Sequence, residues 1–250
     1  FVLLINIFAA LATGGAVVAG QCLGRQKQEE ACQATTQLFL FVGAASAVVM
    51  AGMYLCRGWI VHGIFGGAEE EVLRNCETYL LIVSASMPFL ALYNAGAATF
   101  RAMGNSKISM YVSLIMNGVN IGGNAIFIYG LGWGVAGAAF PTLVSRILAG
   151  VIMTALLRNQ ALKLHLPRPF SFRFEGWMLK KILHIGIPNG VENSMFQLGK
   201  ILVLSIVAGF GTAATAANAV SNNLAMFQIL PGLAMGPIMW QGSAFSLGME

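Results

Sequence analysis

Residues 108–145 read ISMYVSLIMNGVNIGGNAIFIYGLGWGVAGAAFPTLVS, and not one of these side chains carries a charge. A bilayer core takes ~20 predominantly apolar residues per helical crossing, because an unpaired charge there costs several kcal/mol. The stretch therefore reads as one crossing and most of a second, joined by a turn at Gly130 to Trp133. Cys32 to Cys56, Thr78 to Phe100 and Ile201 to Met249 are equally free of charge. A soluble domain would place charge on every exposed face. With 57% hydrophobic and 9% charged residues, and a mean hydropathy of +0.75, the chain is predicted to be a polytopic membrane protein.

The apolar runs divide into segments at 1–20, 32–56, 78–100, 108–129, 133–157, 182–208 and 212–246. They are continuously apolar and lack period-2 alternation, so an all-α helical bundle is expected and not a barrel. Thirty glycines agree, since helices in lipid approach closely through small residues. Ala12, Ala16, Gly20 and Gly24 form such a ladder on one face of the first segment. The chain opens at Phe1 inside an apolar run with no cleavage site before it, which predicts a piece joined partway through a helix and not a signal peptide. Cys22, Cys32, Cys56 and Cys76 have no C-x-x-C spacing, so core or lipid-facing thiols are expected. His62, His165 and His184 are isolated and form no metal set.

The net charge of +5 would suit nucleic acid, but its distribution does not. Ten of the 14 Lys and Arg fall in four patches: Arg25/Lys27, Arg101/Lys107, Arg158/Lys163/Arg168/Arg173 and Lys180/Lys181. The positive-inside rule makes these cytoplasmic ends. The opposite ends, 57–71 with Glu69, Glu70 and Glu71, then 130–133 and 209–212, face outside. One topology satisfies every loop, and its first segment runs from outside to inside. Pro167 and Pro169 break the polar stretch 158–176, which reads as a cytoplasmic basic linker between two bundles, 1–157 and 177–250. Ile7 to Gly14 (IFAALATG) resembles Ile229 to Gly236 (ILPGLAMG), with Gly20 matching Gly242, as expected of parallel repeats.

Three sets of polar residues interrupt the apolar runs. Ser113, Asn117, Asn120 and Asn124 share one helical face. Amides inside a membrane need partners, which are other helices, water in a cavity or a ligand. Asn189, Glu192, Asn193, Phe196 and Lys200 share a face of segment 182–208. Glu192 is eleven residues beyond Lys181, ~16 Å into the membrane by helix rise. An intramembrane carboxylate is by default a proton or cation site, the plainer alternative being a carboxyl protonated or paired for packing. Lys200, ~12 Å further along the axis, is too far for a direct pair on a straight helix. Pro188 frees a carbonyl and permits a bend beside this set. Arg146 lies mid-run, facing a cavity, paired with a carboxylate of another helix, or snorkelling to a surface. Gly199-Lys200 lacks the upstream glycine of a phosphate loop, so ATP is not expected as a partner. No nucleophile or metal constellation suggests an intramembrane enzyme.

Ala19 to Gly24 (AGQCLG), Phe100 to Lys107 (FRAMGNSK), Asn120 to Ala139 (NIGGNAIFIYGLGWGVAGAA), Gly186 to Glu192 (GIPNGVE) and Gly209 to Asn218 (GFGTAATAAN) together resemble the multidrug and toxic compound extrusion (MATE) family of secondary transporters. The resemblance implies twelve helices in two six-helix lobes, of which this chain would cover helix 2 to helix 8. It implies antiport at the plasma membrane, expelling amphipathic, often cationic compounds in exchange for Na⁺ or H⁺. The implied partners are the bilayer and a small organic substrate, with no cofactor beyond the coupling ion. Glu192 looks like the helix 7 carboxylate implicated in coupling, and Asn124 falls where a polar residue lining the first lobe is implied. The chain has no Asp, which departs from an aspartate-based first-lobe site. Met239 to Glu250 is a second departure, having no basic residue where helix 8 should reach the cytoplasm. A lipid-linked saccharide flippase of related fold is the alternative.

Overall fold

The computed structural model describes residues 2–59, 61, 70–166, 175–210, 214 and 216–229. Its helices are α1 (Val2–Gly24), α2 (Gln28–Leu55), α3 (Glu70–Ala85), α4 (Met87–Ala102), α5 (Ser106–Asn124, continued by a π-helical turn Ala125–Gly130), α6 (Gly134–Leu157) and α7 (Gly176–Ala208). Residues 216–229 are also helical, and the described residues contain no strand. The expected all-α bundle is therefore present. α1, α2, α5 with its π turn, and α6 are each long and apolar enough to span a membrane. α3 and α4 do so only together, bent by 40° where they meet at Ser86. Pro88 at the start of α4 explains the break, because its ring has no N–H to offer the preceding turn. The single crossing expected at 78–100 is thus a bent span that starts earlier, at Leu73. The second copy of the suspected repeat lies outside the described residues beyond Ile229.

Helix ends follow local chemistry. α4 stops because Gly104 takes φ +77°, a left-handed conformation that costs glycine nothing. The Asn105 N–H then returns to the Phe100 carbonyl at 2.9 Å, satisfying one of the helix's last acceptors. That stop is the Gly-Asn of FRAMGNSK. The small-residue ladder of α1 is buried throughout, as close packing requires. On another face of α1, Gly14 meets Gly186 of α7: a Cβ on Gly14 would sit 2.7 Å from the Gly186 nitrogen. α1 and α7 therefore touch backbone to backbone, in the most extensive helix contact of the described chain. Phe100, Leu38, Met153, Leu157, Met178 and Ile182 fill the main core beside this seam.

The linker departs from its polar reading. Leu164 and Leu166 are fully buried in the same core as Met178 and Ile182. The Leu166 N–H donates to the Leu157 carbonyl at 2.8 Å, and the Leu164 N–H lies 3.4 Å from Met103 Sδ. Cys32 Sγ sits 3.7 Å from the Lys163 carbonyl oxygen and from His165 Nδ1. Residues 159–166 thus form a strap across α2 and the α4–α5 turn; Pro167, Arg168, Pro169 and Arg173 lie outside the described residues. The strap brings the basic turns to one end of the bundle. At the other end Arg57 pairs with Glu77 at 3.3 Å, and the Tyr54 hydroxyl donates to the Leu81 carbonyl at 3.1 Å.

Candidate transport sites

Two polar clusters interrupt the helices, the first within the apolar spans and the second on α7, which is not among the helices apolar enough to count as a span. The first joins α5 to α6. Asn120 Nδ2 donates to Thr142 Oγ1 at 3.1 Å, and Asn124 Nδ2 donates to Asn120 Oδ1 at 3.1 Å. Thr142 Oγ1 in turn donates to the Ala138 carbonyl of its own helix at 3.1 Å. Asn124 Oδ1 is buried with no partner, an acceptor held ready inside the lobe. Asn120 and Asn124 thus point inward as the shared face predicts. Asn117 does not: it is exposed, because no described element covers α5 at that level. Tyr111, Leu114 and Ile115 beside it are exposed for the same reason.

Arg146 extends this cluster. Its Nη1 donates to Ser86 Oγ at 2.8 Å, and Ser86 Oγ donates to the Val83 carbonyl at 2.6 Å. The arginine therefore points at the break between α3 and α4, and of the three orientations open to the sequence it takes the inward one. Neither ion pair among the described residues, Lys27 with Glu30 or Arg57 with Glu77, involves it. Thr142 and Ser86 were not singled out by sequence. Their only signals are Thr142 standing one turn before Arg146 and Ser86 standing two residues before Pro88.

The second cluster lies on α7. Asn193 Nδ2 donates to both the backbone carbonyl and Oδ1 of Asn189, each at 2.9 Å. This amide braces the helix one turn beyond Pro188, which lies inside it. Lys200 rests its Nζ 4.6 Å above the Phe196 ring, away from Glu192. Gly190 is buried against α1, with Ala10 Cβ 3.7 Å from where its own Cβ would be. From Val191 outward α7 is largely exposed, and Glu192 is exposed with it. Glu192 thus sits where the α1–α7 seam ends. Among the described residues no wall closes a dry cavity around it. α7 touches α1 and α2 but neither α5 nor α6, so the two clusters are separate sites. The described residues contain no group of three or more His, Cys or Glu able to hold a metal ion.

The bent, close-packed bundle has a counterpart among known proteins. The sequence profile of the MatE family matches residues 1–126. The chain belongs to the MatE family. It is 28% identical over 98% of its length to an uncharacterized transporter, YisQ, of Bacillus subtilis, covering 53% of that protein. It is 27% identical over 99% of its length to the probable multidrug resistance protein YoeA of the same organism, covering 54% of it. The chain thus spans about half the length of the curated relatives it matches. The fold matches an outward-facing multidrug resistance MATE transporter of the MOP superfamily with a TM-score of 0.86 at 22% identity, over 99% of this chain and 55% of that one. YisQ and the solved structure are named as transporters and YoeA as a multidrug resistance protein, none as an enzyme, and this MatE chain is an integral membrane protein.

Proposed function

We propose that the whole protein exports amphipathic organic compounds, cationic ones among them, from the cytoplasm across the plasma membrane. Export is driven by exchange for Na⁺ or H⁺, with residues 1–157 in the first lobe and 177–250 opening the second. The observation that carries this is Glu192. It is a carboxylate far from the ends of a membrane-length helix, with no cationic partner among the described residues, at the edge of the close seam between α1 and α7. Ion-driven exchange needs a site whose affinity differs between two conformations, since equal affinity shifts nothing. A carboxylate at the end of a helix seam changes its surroundings whenever the seam opens or closes. Asn189 and Asn193 supply neutral oxygens one helical turn apart, suited to completing a cation's shell beside it. The naming of relatives as multidrug resistance proteins supports the substrate class.

The test is efflux of a fluorescent organic cation from vesicles holding the full-length protein, under an imposed Na⁺ gradient and then an H⁺ gradient. Efflux faster than from protein-free vesicles under at least one gradient is expected. Equal rates under both would refute ion-driven export.

A further inference from the structure

Arg146 has a role that cation exchange leaves unused. On α6 it shares a face with Ala139, Thr142, Ala149, Gly150 and Met153, all buried or half-buried, while Phe140, Val144, Leu148 and Val151 on the opposite face are exposed. Its side chain is therefore directed into the first lobe and not toward lipid. There Ser86 Oγ takes one N–H of the guanidinium, and Tyr79 of α3 lies within electrostatic reach. The carboxylates of the described residues are Glu29, Glu30, Glu70, Glu71, Glu77, Glu175 and Glu192. Glu192 is on α7, which does not touch α6; Glu77, midway along α3, pairs with Arg57 at 3.3 Å; the others stand at or near helix ends. No described anion neutralises Arg146, although a charge inside a membrane ordinarily faces a partner or a polar cavity. The packing beside it is apolar or neutral: Val83, Met87 and Ala139 form a closed core cluster, and Ser84, fully buried, has a hydroxyl without a partner.

We propose that Arg146, held in place by Ser86, is a carboxylate-binding subsite of the first lobe that takes the acid group of an aryl or alkyl carboxylate. The guanidinium presents its N–H donors as a rigid fork that matches a carboxylate two bonds at a time. With one donor anchored on Ser86 the fork is oriented in advance, and its remaining donors are left to the ligand. The first lobe thereby accepts anionic or zwitterionic compounds beside cationic ones, while Glu192 serves the coupling cation. Use of the subsite in transport rests on the export reading; its existence does not.

The test is equilibrium dialysis of the full-length protein in nanodiscs against 2-naphthoate and 2-naphthamide, with empty nanodiscs subtracted. The two ligands share a ring system and differ in charge. Binding of naphthoate about tenfold tighter than the amide is expected, as for a charge-assisted bond in a desolvated site. Arg146→Gln should abolish the preference and Arg146→Lys should retain part of it. Ser86→Ala, a milder change that keeps the charge, should weaken naphthoate several-fold and leave the amide unchanged, which decides the matter if Arg146→Gln does not fold. Equal affinity for both ligands, no saturable naphthoate binding, or a preference surviving in Arg146→Gln or undiminished in Ser86→Ala would overturn the proposal; a carboxylate from elsewhere in the protein paired with Arg146 would give the first or second of these. Because no ion gradient is applied, the outcome is independent of whether efflux is ion-driven.

Discussion

Thr142 shows how much one side chain inside a membrane decides. Its hydroxyl accepts from Asn120, and Asn120 in turn accepts from Asn124, so the whole first-lobe amide chain hangs on it. Thr142→Val keeps the shape and removes the acceptor, leaving the Asn120 amide unpaired among apolar groups. The expected cost is about 1 kcal/mol, the size of an interhelical hydrogen bond in a bilayer. A lowered melting temperature of the purified full-length protein would show it; an unchanged one would mean the amides find other partners. That Asn120 and Asn124 face inward was legible from their spacing alone. That Asn117 faces outward was not, because helical period fixes a direction but not whether a neighbour stands there. Glu192 was legible as a carboxylate sharing a helical face with Asn189 and Asn193, whereas its exposure depends on where the α1–α7 contact stops.

Helix stops and helix seams carry their own consequences. Gly104→Val would force a branched side chain into a left-handed conformation, at roughly 1–2 kcal/mol, and fray the end of α4. Thermal unfolding of the variant should shift down accordingly, and no shift would place the α4 stop elsewhere. Gly14 is more demanding, since even the methyl of Gly14→Ala meets the Gly186 backbone at 2.7 Å. The variant should separate α1 from α7 and lose more stability than Gly20→Ala, where the nearest atom is 4.0 Å away. Equal losses at the two positions would contradict the seam. Most helices were legible because charge-free runs and basic patches mark a span and its end. The bend at Ser86 left only Pro88 as a trace. The strap was hidden because Leu164 and Leu166 lie among basic residues, and only packing against Met178 and Ile182 reveals their burial.

At the scale of the molecule, antiparallel helices carry the basic turns to one end of the bundle and the uncharged or acidic turns to the other. Cysteines placed singly at Ser106 and Leu131, in a background without the four native thiols, should react with an impermeant thiol reagent from opposite sides of a vesicle. Reaction from the same side would overturn the topology. On the export reading proposed above, the two clusters would divide the work: an amide and arginine interior around α5 and α6, and a lone carboxylate on α7 at the margin of the α1–α7 seam. Two separate sites suit exchange of two unlike ligands, provided that one of them responds to the driving ion. Glu192→Gln in the full-length protein tests this most directly, because it preserves shape and removes the charge. With dye efflux measured under the gradient that drives the wild type, the variant is expected to insert and fold normally yet lose ion-driven efflux. Wild-type rates in Glu192→Gln under that gradient would contradict the account.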